Sequence, residues 1–96
     1  MNNNIPYTIT AYTRERAKHY GVQVKHSENK NKKIDVYKNG HKIASIGAIG
    51  YSDYPTYIKE RGKIYADERR RLYRIRHEKD RKIKWTNGWL ASVLLW

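Results

Sequence analysis

Three short runs decide the fold: Val22-Gln23-Val24-Lys25-His26, Ile34-Asp35-Val36-Tyr37-Lys38 and His41-Lys42-Ile43-Ala44-Ser45-Ile46, the last two joined by Asn39-Gly40. Each alternates apolar and polar residues, the period of a strand with one buried face. Asn-Gly between two such runs is a strong short-range hairpin signal, because a type I′ turn needs positive φ at both central residues. The polar stretch Ser27 to Lys33 separates the first two runs as a loop. The spacing therefore predicts a three-stranded antiparallel sheet over roughly 22–46, with Ala44 and Ile46 on one face and Ile43 and Ser45 on the other.

Upstream, Met1 to Ala11 is polar and β-branched with one proline, and reads as an extended arm. It has neither the basic n-region nor the apolar h-region of a signal peptide. Tyr12 to Tyr20 reads as a short basic helix, with Thr13 as N-cap and Gly21 in the C′ position. The expected organisation is an arm over 1–11 and a single small α+β domain over 12–96.

Downstream, Gly47, Gly50, Asp53 and Pro55 describe a loop, after which Thr56 caps a helix from Tyr57 to about Lys79. At 100° per residue, Tyr57, Ile58, Ile64, Tyr65, Leu72 and Ile75 fall within an arc of about 120°. Lys59, Lys63, Arg70, Arg74, His77 and Arg81 fall within about 60° on the opposite side. Gly62 is the weak point and could split this helix in two. A short apolar C-terminal helix follows Trp85, capped by Thr86 or Asn87, with Trp89, Val93 and Trp96 on one face and Leu90 and Leu94 beside them. No charge follows Lys84. That ending is much shorter than the roughly 20 residues a bilayer span needs, so no membrane partner is expected.

Charge sets the functional expectation. The 96 residues carry 21 Lys+Arg against 9 Asp+Glu, a formal net charge of +12. Residues 59–84 alone hold 12 Lys+Arg against 5 Asp+Glu. Such a balance points to acidic or polyanionic partners. Phe is absent while Tyr occurs nine times and Trp three, so the aromatic surface carries polar handles suited to interfaces and base stacking. Lys59, Lys63, Arg69, Arg70, Tyr73, Arg74, His77 and Arg81 are the candidate contacts to nucleic acid or to an acidic protein. Trp85, Trp89, Leu90, Val93, Leu94 and Trp96 must be covered, either by the sheet or by a neighbouring subunit.

Enzyme chemistry finds little support. With no cysteine there is no disulfide framework, thiolate zinc site or cysteine nucleophile. His19, His26, His41 and His77 lack metal-ligand spacing, although His26 and His41 could approach one another on the sheet. No phosphate loop, dinucleotide fingerprint or Ser/His/Asp pattern is present. A Tyr/Arg/Glu nuclease site would need paired GIY and YIG tripeptides, and Ile49-Gly50-Tyr51 alone does not supply them. No cofactor, metal or small-molecule substrate is expected. Asp53, between Tyr51 and Tyr54, is placed to accept a tyrosine hydroxyl or to pair with an arginine of the following helix.

Asn39-Gly40, Gly47, Gly50-Tyr51-Ser52-Asp53-Tyr54, Arg69-Arg70, Tyr73, Arg76-His77, Gly88 and Leu94-Leu95-Trp96 occur in an order that resembles a small family of large double-stranded DNA viruses, algal giant viruses included, and of some tailed phages. Its pattern runs NGK…FG…GYxDY…RRxxYxxRH…W…Gxx…LLW and covers about 39–96 here. The chain departs from it at Ile46, where the family has phenylalanine, and over Ile58 to Ile64, where the family is more polar. The resemblance implies a viral setting and brings no activity. The resulting expectation is a non-enzymatic virion protein, an auxiliary or minor capsid component that binds the major capsid protein or other shell subunits and contacts packaged DNA. The alternative is a nucleic-acid-binding protein without sequence preference, acting in packaging or host takeover.

Overall fold

A computed structural model of the chain describes residues 7–96. Their order is α1 (Ala11–Tyr20), β1 (Gln23–His26), β2 (Lys32–Lys38), β3 (His41–Ala48), α2 (Tyr54–Arg61), α3 (Lys63–Arg76) and α4 (Asn87–Leu94). The class is α+β, with one three-stranded antiparallel sheet of order β1-β2-β3. The hairpin turns at Asn39 (φ 53°) and Gly40 (φ 79°), so the Asn-Gly signal is realised as positive φ at both positions. Ile34 pairs with Ile46 and Val36 with Ala44, which brings the four apolar side chains onto one face. A register shift beyond Val36 sets Tyr37 opposite Lys42 and leaves Ile43 exposed.

The core is built on that face. Ile34, Val36, Ala44 and Ile46 pack beneath Leu90, Leu94 and Leu95, with Ile9, Ala17 and Val22 closing the side. Helix α4 lies over β3 and against α1, and the buried Thr13 hydroxyl donates to the Leu94 carbonyl at 2.8 Å. The first helix begins earlier than its sequence suggests. Thr10, not Thr13, is the N-cap, its hydroxyl accepting from the Thr13 amide at 3.2 Å. Gly21 ends it at φ 72°, with its own amide bonded to Lys18 O and that of Val22 to Ala17 O, the paired closure of a Schellman motif. Of the expected arm, residues 1–6 lie outside the described residues, while Ile9 is part of the core.

Three further boundaries differ from expectation. Strand β3 continues to Ala48, because Ala48 still pairs with Lys32. Gly47 (φ 81°) permits this: a Cβ there would stand 2.8 Å from Leu95 Cδ1. Helix α2 starts at Tyr54 because Asp53 is its cap, accepting from the Thr56 amide at 3.2 Å, with Pro55 in the first turn. Gly62, at φ 91° and ψ 168°, breaks the expected continuous helix, so the long basic helix is α3 alone. His26 and His41 are not neighbours. His26 pairs with Ile34 and His41 with Lys38, at opposite ends of β2 and on opposite sides of it.

The orientation of α3 reverses the hydropathy pattern. Its buried residues are Ala66 and Tyr73, whereas Ile64 and Ile75 face outward, Ile64 at 89% exposure. The helix is held by aromatic and cationic contacts along the edge of its basic side. Tyr73 stacks on Trp96 with centroids 4.4 Å apart and planes 10° apart. The Arg70 guanidinium lies 3.8 Å from the centroid of Tyr54. Each such pair is worth about 0.5–2 kcal/mol, and both join α3 to residues outside it, Trp96 and Tyr54, on the side opposite Ile64 and Ile75.

Candidate nucleic-acid interface

The cationic residues divide into two groups on opposite flanks of α3. On one flank lie Arg70, Arg74 and Arg81, joined by Arg16 from α1. Arg74 is the centre of this group: partial burial, followed by the nearby charges of Arg70, Arg81 and Arg16, pushes its guanidinium below the usual arginine range. Arg16 is held in place by a hydrogen bond to the Val93 carbonyl and lies 5.3 Å from the Tyr12 ring centroid. Arg81 pairs with Glu78 at 2.8 Å, and Arg70 reaches Asp67 at 3.6 Å. The Arg81–Glu78 pair is a half-buried i,i+3 contact worth only tenths of a kcal/mol. Arg70 also bonds the Tyr54 hydroxyl at 3.2 Å and the Trp96 carbonyl at 3.3 Å, and is fixed in place. Arg74 and Arg81 are therefore the members of the group most open to an anion.

The other flank faces a cleft of about 390 Å³ between β3, the 50–53 loop, α3 and the C-terminal Trp96. Arg69, Arg76 and His77 line one wall, and Tyr51, Tyr57 and Trp96 line the others. Arg69 lies 5.6 Å from the Tyr57 centroid, and its Nε is buried without a hydrogen-bond partner among the described residues. His77 stacks on Tyr73 at 4.3 Å and bonds Asp80 through Nδ1 at 3.2 Å.

Beside the cleft, Lys33 and Asp53 form a buried ion pair at 3.0 Å. Asp53 also accepts from the Tyr7 hydroxyl at 2.6 Å. Burial, and then that hydrogen bond, drives the Tyr7 phenol far above its usual range. Asp53 thus takes a tyrosine hydroxyl as expected, but from Tyr7, and its cation is Lys33 rather than an arginine. Tyr54 instead donates to Asp67 at 2.7 Å.

The expected basic stripe is therefore redistributed. Lys59 is exposed on α2, across the Gly62 break from the rest. Lys63 is exposed and bonds Asp67 at 2.7 Å. Arg70, Arg74 and Arg81 stay together, while Arg69 and His77 turn to the cleft. Tyr73 needs correction as a base-stacking residue, because it is buried and its ring already stacks on Trp96 and His77. Leu90 and Leu94 need correction as subunit contacts, because both are fully buried in the chain's own core. Trp89 and Val93 pack against that core, and Trp85 alone of the group is exposed. Arg16, Lys33 and Arg76 complete the two sites. Arg16 and Lys33 are distant in sequence from the arginine run, and no spacing rule could have selected them.

These features define a small, strongly basic α+β protein with an arginine cluster on one side of its longest helix and an aromatic-lined cationic cleft on the other. Among the described residues no group of His, Cys, Asp and Glu could hold a metal ion, and no helix is long and apolar enough to cross a membrane. In comparisons with known proteins, no family model, no curated protein and no solved structure matches the chain.

Proposed function

We propose that this is a non-enzymatic component of a virus particle, an auxiliary or minor capsid protein of a tailed phage or large DNA virus, whose arginine surface contacts packaged nucleic acid. The observation that carries the polyanion contact is the gathering of Arg70, Arg74 and Arg81 along one recess, with Arg16 of α1 close enough for its charge to act on Arg74. Four guanidinium groups gathered at one place repel one another, and a run of phosphates relieves that repulsion while releasing counterions. The viral setting is supported by the sequence resemblance alone. For the contact with shell subunits, the outward Ile64 and Ile75 of α3 are better placed than the C-terminal helix, which is consumed by its own core.

Two measurements test this. Affinity for a DNA duplex should fall with salt at a log–log slope of several units, and Arg74→Gln or Arg81→Gln should each reduce that slope by about one. Purified particles should contain the protein at a fixed ratio to the major shell protein. Salt-dependent binding by a protein missing from particles would favour action on nucleic acid outside the shell, in packaging or host takeover. A salt-independent interaction would remove the nucleic-acid role.

A further inference from the structure

We infer that the cleft beside Trp96 receives one nucleotide of an unpaired strand, its phosphate on Arg69 and Arg76 and its base against Tyr51. The inference rests on the nucleic-acid reading above and adds a preference for single strands. Three observations support it. The first is size: about 390 Å³ lies in the range of sites that enclose a small ligand, and suits one nucleotide unit. A duplex keeps its bases stacked inside a convex surface, whereas an unpaired strand can turn a base into a recess.

The second observation is the unmatched charge. Among the described residues, Arg69 and Arg76 line the cleft without a salt-bridge partner, and the Arg69 Nε is buried without a hydrogen-bond partner. A phosphate entering the cleft would meet two guanidinium groups without having to displace a carboxylate from them. Lys33 is already neutralised by Asp53, so the free positive charge in the cleft comes from these two arginines.

The third is an open aromatic face. Tyr51 lines the cleft at 75% exposure and has no ring partner among the described residues, while Tyr57 and Trp96 are engaged with each other and with Tyr65 and Tyr73. A large, exposed, unpaired ring beside unmatched arginines is the arrangement that single-strand binders use to hold a base and its phosphate. The deoxyribose and ribose forms share this chemistry, so the strand is defined by being unpaired.

The test compares labelled oligo-dT and oligo-rU of about 12 nucleotides with a DNA duplex of equal length, by fluorescence anisotropy. Tyr51→Ala should weaken binding of oligo-dT, oligo-rU or both by roughly ten-fold and leave the duplex within about two-fold. Arg69→Gln should act in the same direction, and Arg74→Gln, on the opposite flank, should weaken strands and duplex alike. Because Tyr51 is exposed, its truncation leaves the thermal midpoint unchanged. Photocrosslinking with iodouracil-substituted strands should mark the peptide carrying Tyr51 or that carrying Trp96. Duplex binding that persists while Tyr51→Ala leaves single-strand binding unchanged, or weakens both equally, overturns the cleft assignment and spares the proposed function. Crosslinks confined to the Arg16 and Arg74 flank do the same. Failure to bind any of the three at low salt overturns both.

Discussion

Lys33 Nζ and Asp53 Oδ2 stand 3.0 Å apart with only 6% and 1% of their side chains exposed, tying the sheet to the cap of α2. Two charges withdrawn from water hold their place only if each is well partnered. Asp53 is, by Lys33, the Tyr7 hydroxyl and the Thr56 amide.

Asp53→Ala is expected to cost about 3–5 kcal/mol, since it strands a buried ammonium and removes a helix cap together. Asp53→Asn keeps the cap on the Thr56 amide but sets an amide NH2 donor where Oδ2 accepts from Tyr7 and Lys33. It should therefore also destabilise, by less than Asp53→Ala only to the extent of the retained cap. Lys33→Met should also cost less than Asp53→Ala, because the carboxylate keeps its other two donors. Urea unfolding of the three variants checks the order, and an Asp53→Asn protein as stable as wild type would show that the charge contributes nothing.

Asp35 gives the stability a defined pH dependence. It is buried on β2, and burial alone would raise its pKa. Hydroxyl donors Ser27 and Ser45 at 2.6 Å, the Glu28 amide and Lys42 outweigh that effect and hold the carboxyl below its usual range. With the folded value below the unfolded one, the unfolded chain binds the extra proton. The contribution of Asp35 is thus fully present above about pH 4 and is lost as pH falls through the folded value. The urea midpoint should drop on acidification below about pH 4, and Asp35→Asn should flatten part of that drop.

Two glycines are expected to resist substitution for different reasons. Gly62→Ala places a side chain at φ 91° and should cost about 1–2 kcal/mol. At Gly88 a Cβ would lie 2.4 Å from the Asp80 carbonyl oxygen, so Gly88→Ala must push α4 from the 77–86 turns, costing about 1–3 kcal/mol. Thermal midpoints of both variants measure this.

Leu94→Ala should lower stability by about 2–5 kcal/mol, as expected for a fully buried leucine. Trp85→Ala, at an exposed position under the Lys38 ammonium, should cost less than about 1 kcal/mol. If Leu94→Ala kept full stability and lost only a partner, the assignment of α4 to the core would fail.

The sheet was legible in the residues because its signals are local. Alternation over 34–38 and 41–46 and the φ demands of Asn39-Gly40 act within a few residues, and tertiary contacts merely agree with them. The helix after Thr86 was legible for the same reason, its cap and apolar face lying within three turns.

The site was only half legible. The arginine run is plain in the sequence, yet which arginines meet depends on the direction α3 faces. Hydropathy favours burying Ile64 and Ile75, while stacking of Tyr73 on Trp96 and of Arg70 on Tyr54 favours the opposite rotation. Those partners are 16 or more residues apart, beyond the reach of any periodicity.

By itself the sequence determined an α+β fold with a hairpin at Asn39-Gly40, a basic helix and an apolar ending, because turns, caps and alternation are short-range effects. Only the tertiary structure decided that the ending is core, that α3 turns its isoleucines outward, and that Arg16 joins the arginines around Arg74 while Arg69 and Arg76 meet Tyr51 across a cleft. Those outcomes follow from competition among long-range contacts of similar strength, and only their relative positions in three dimensions settle it.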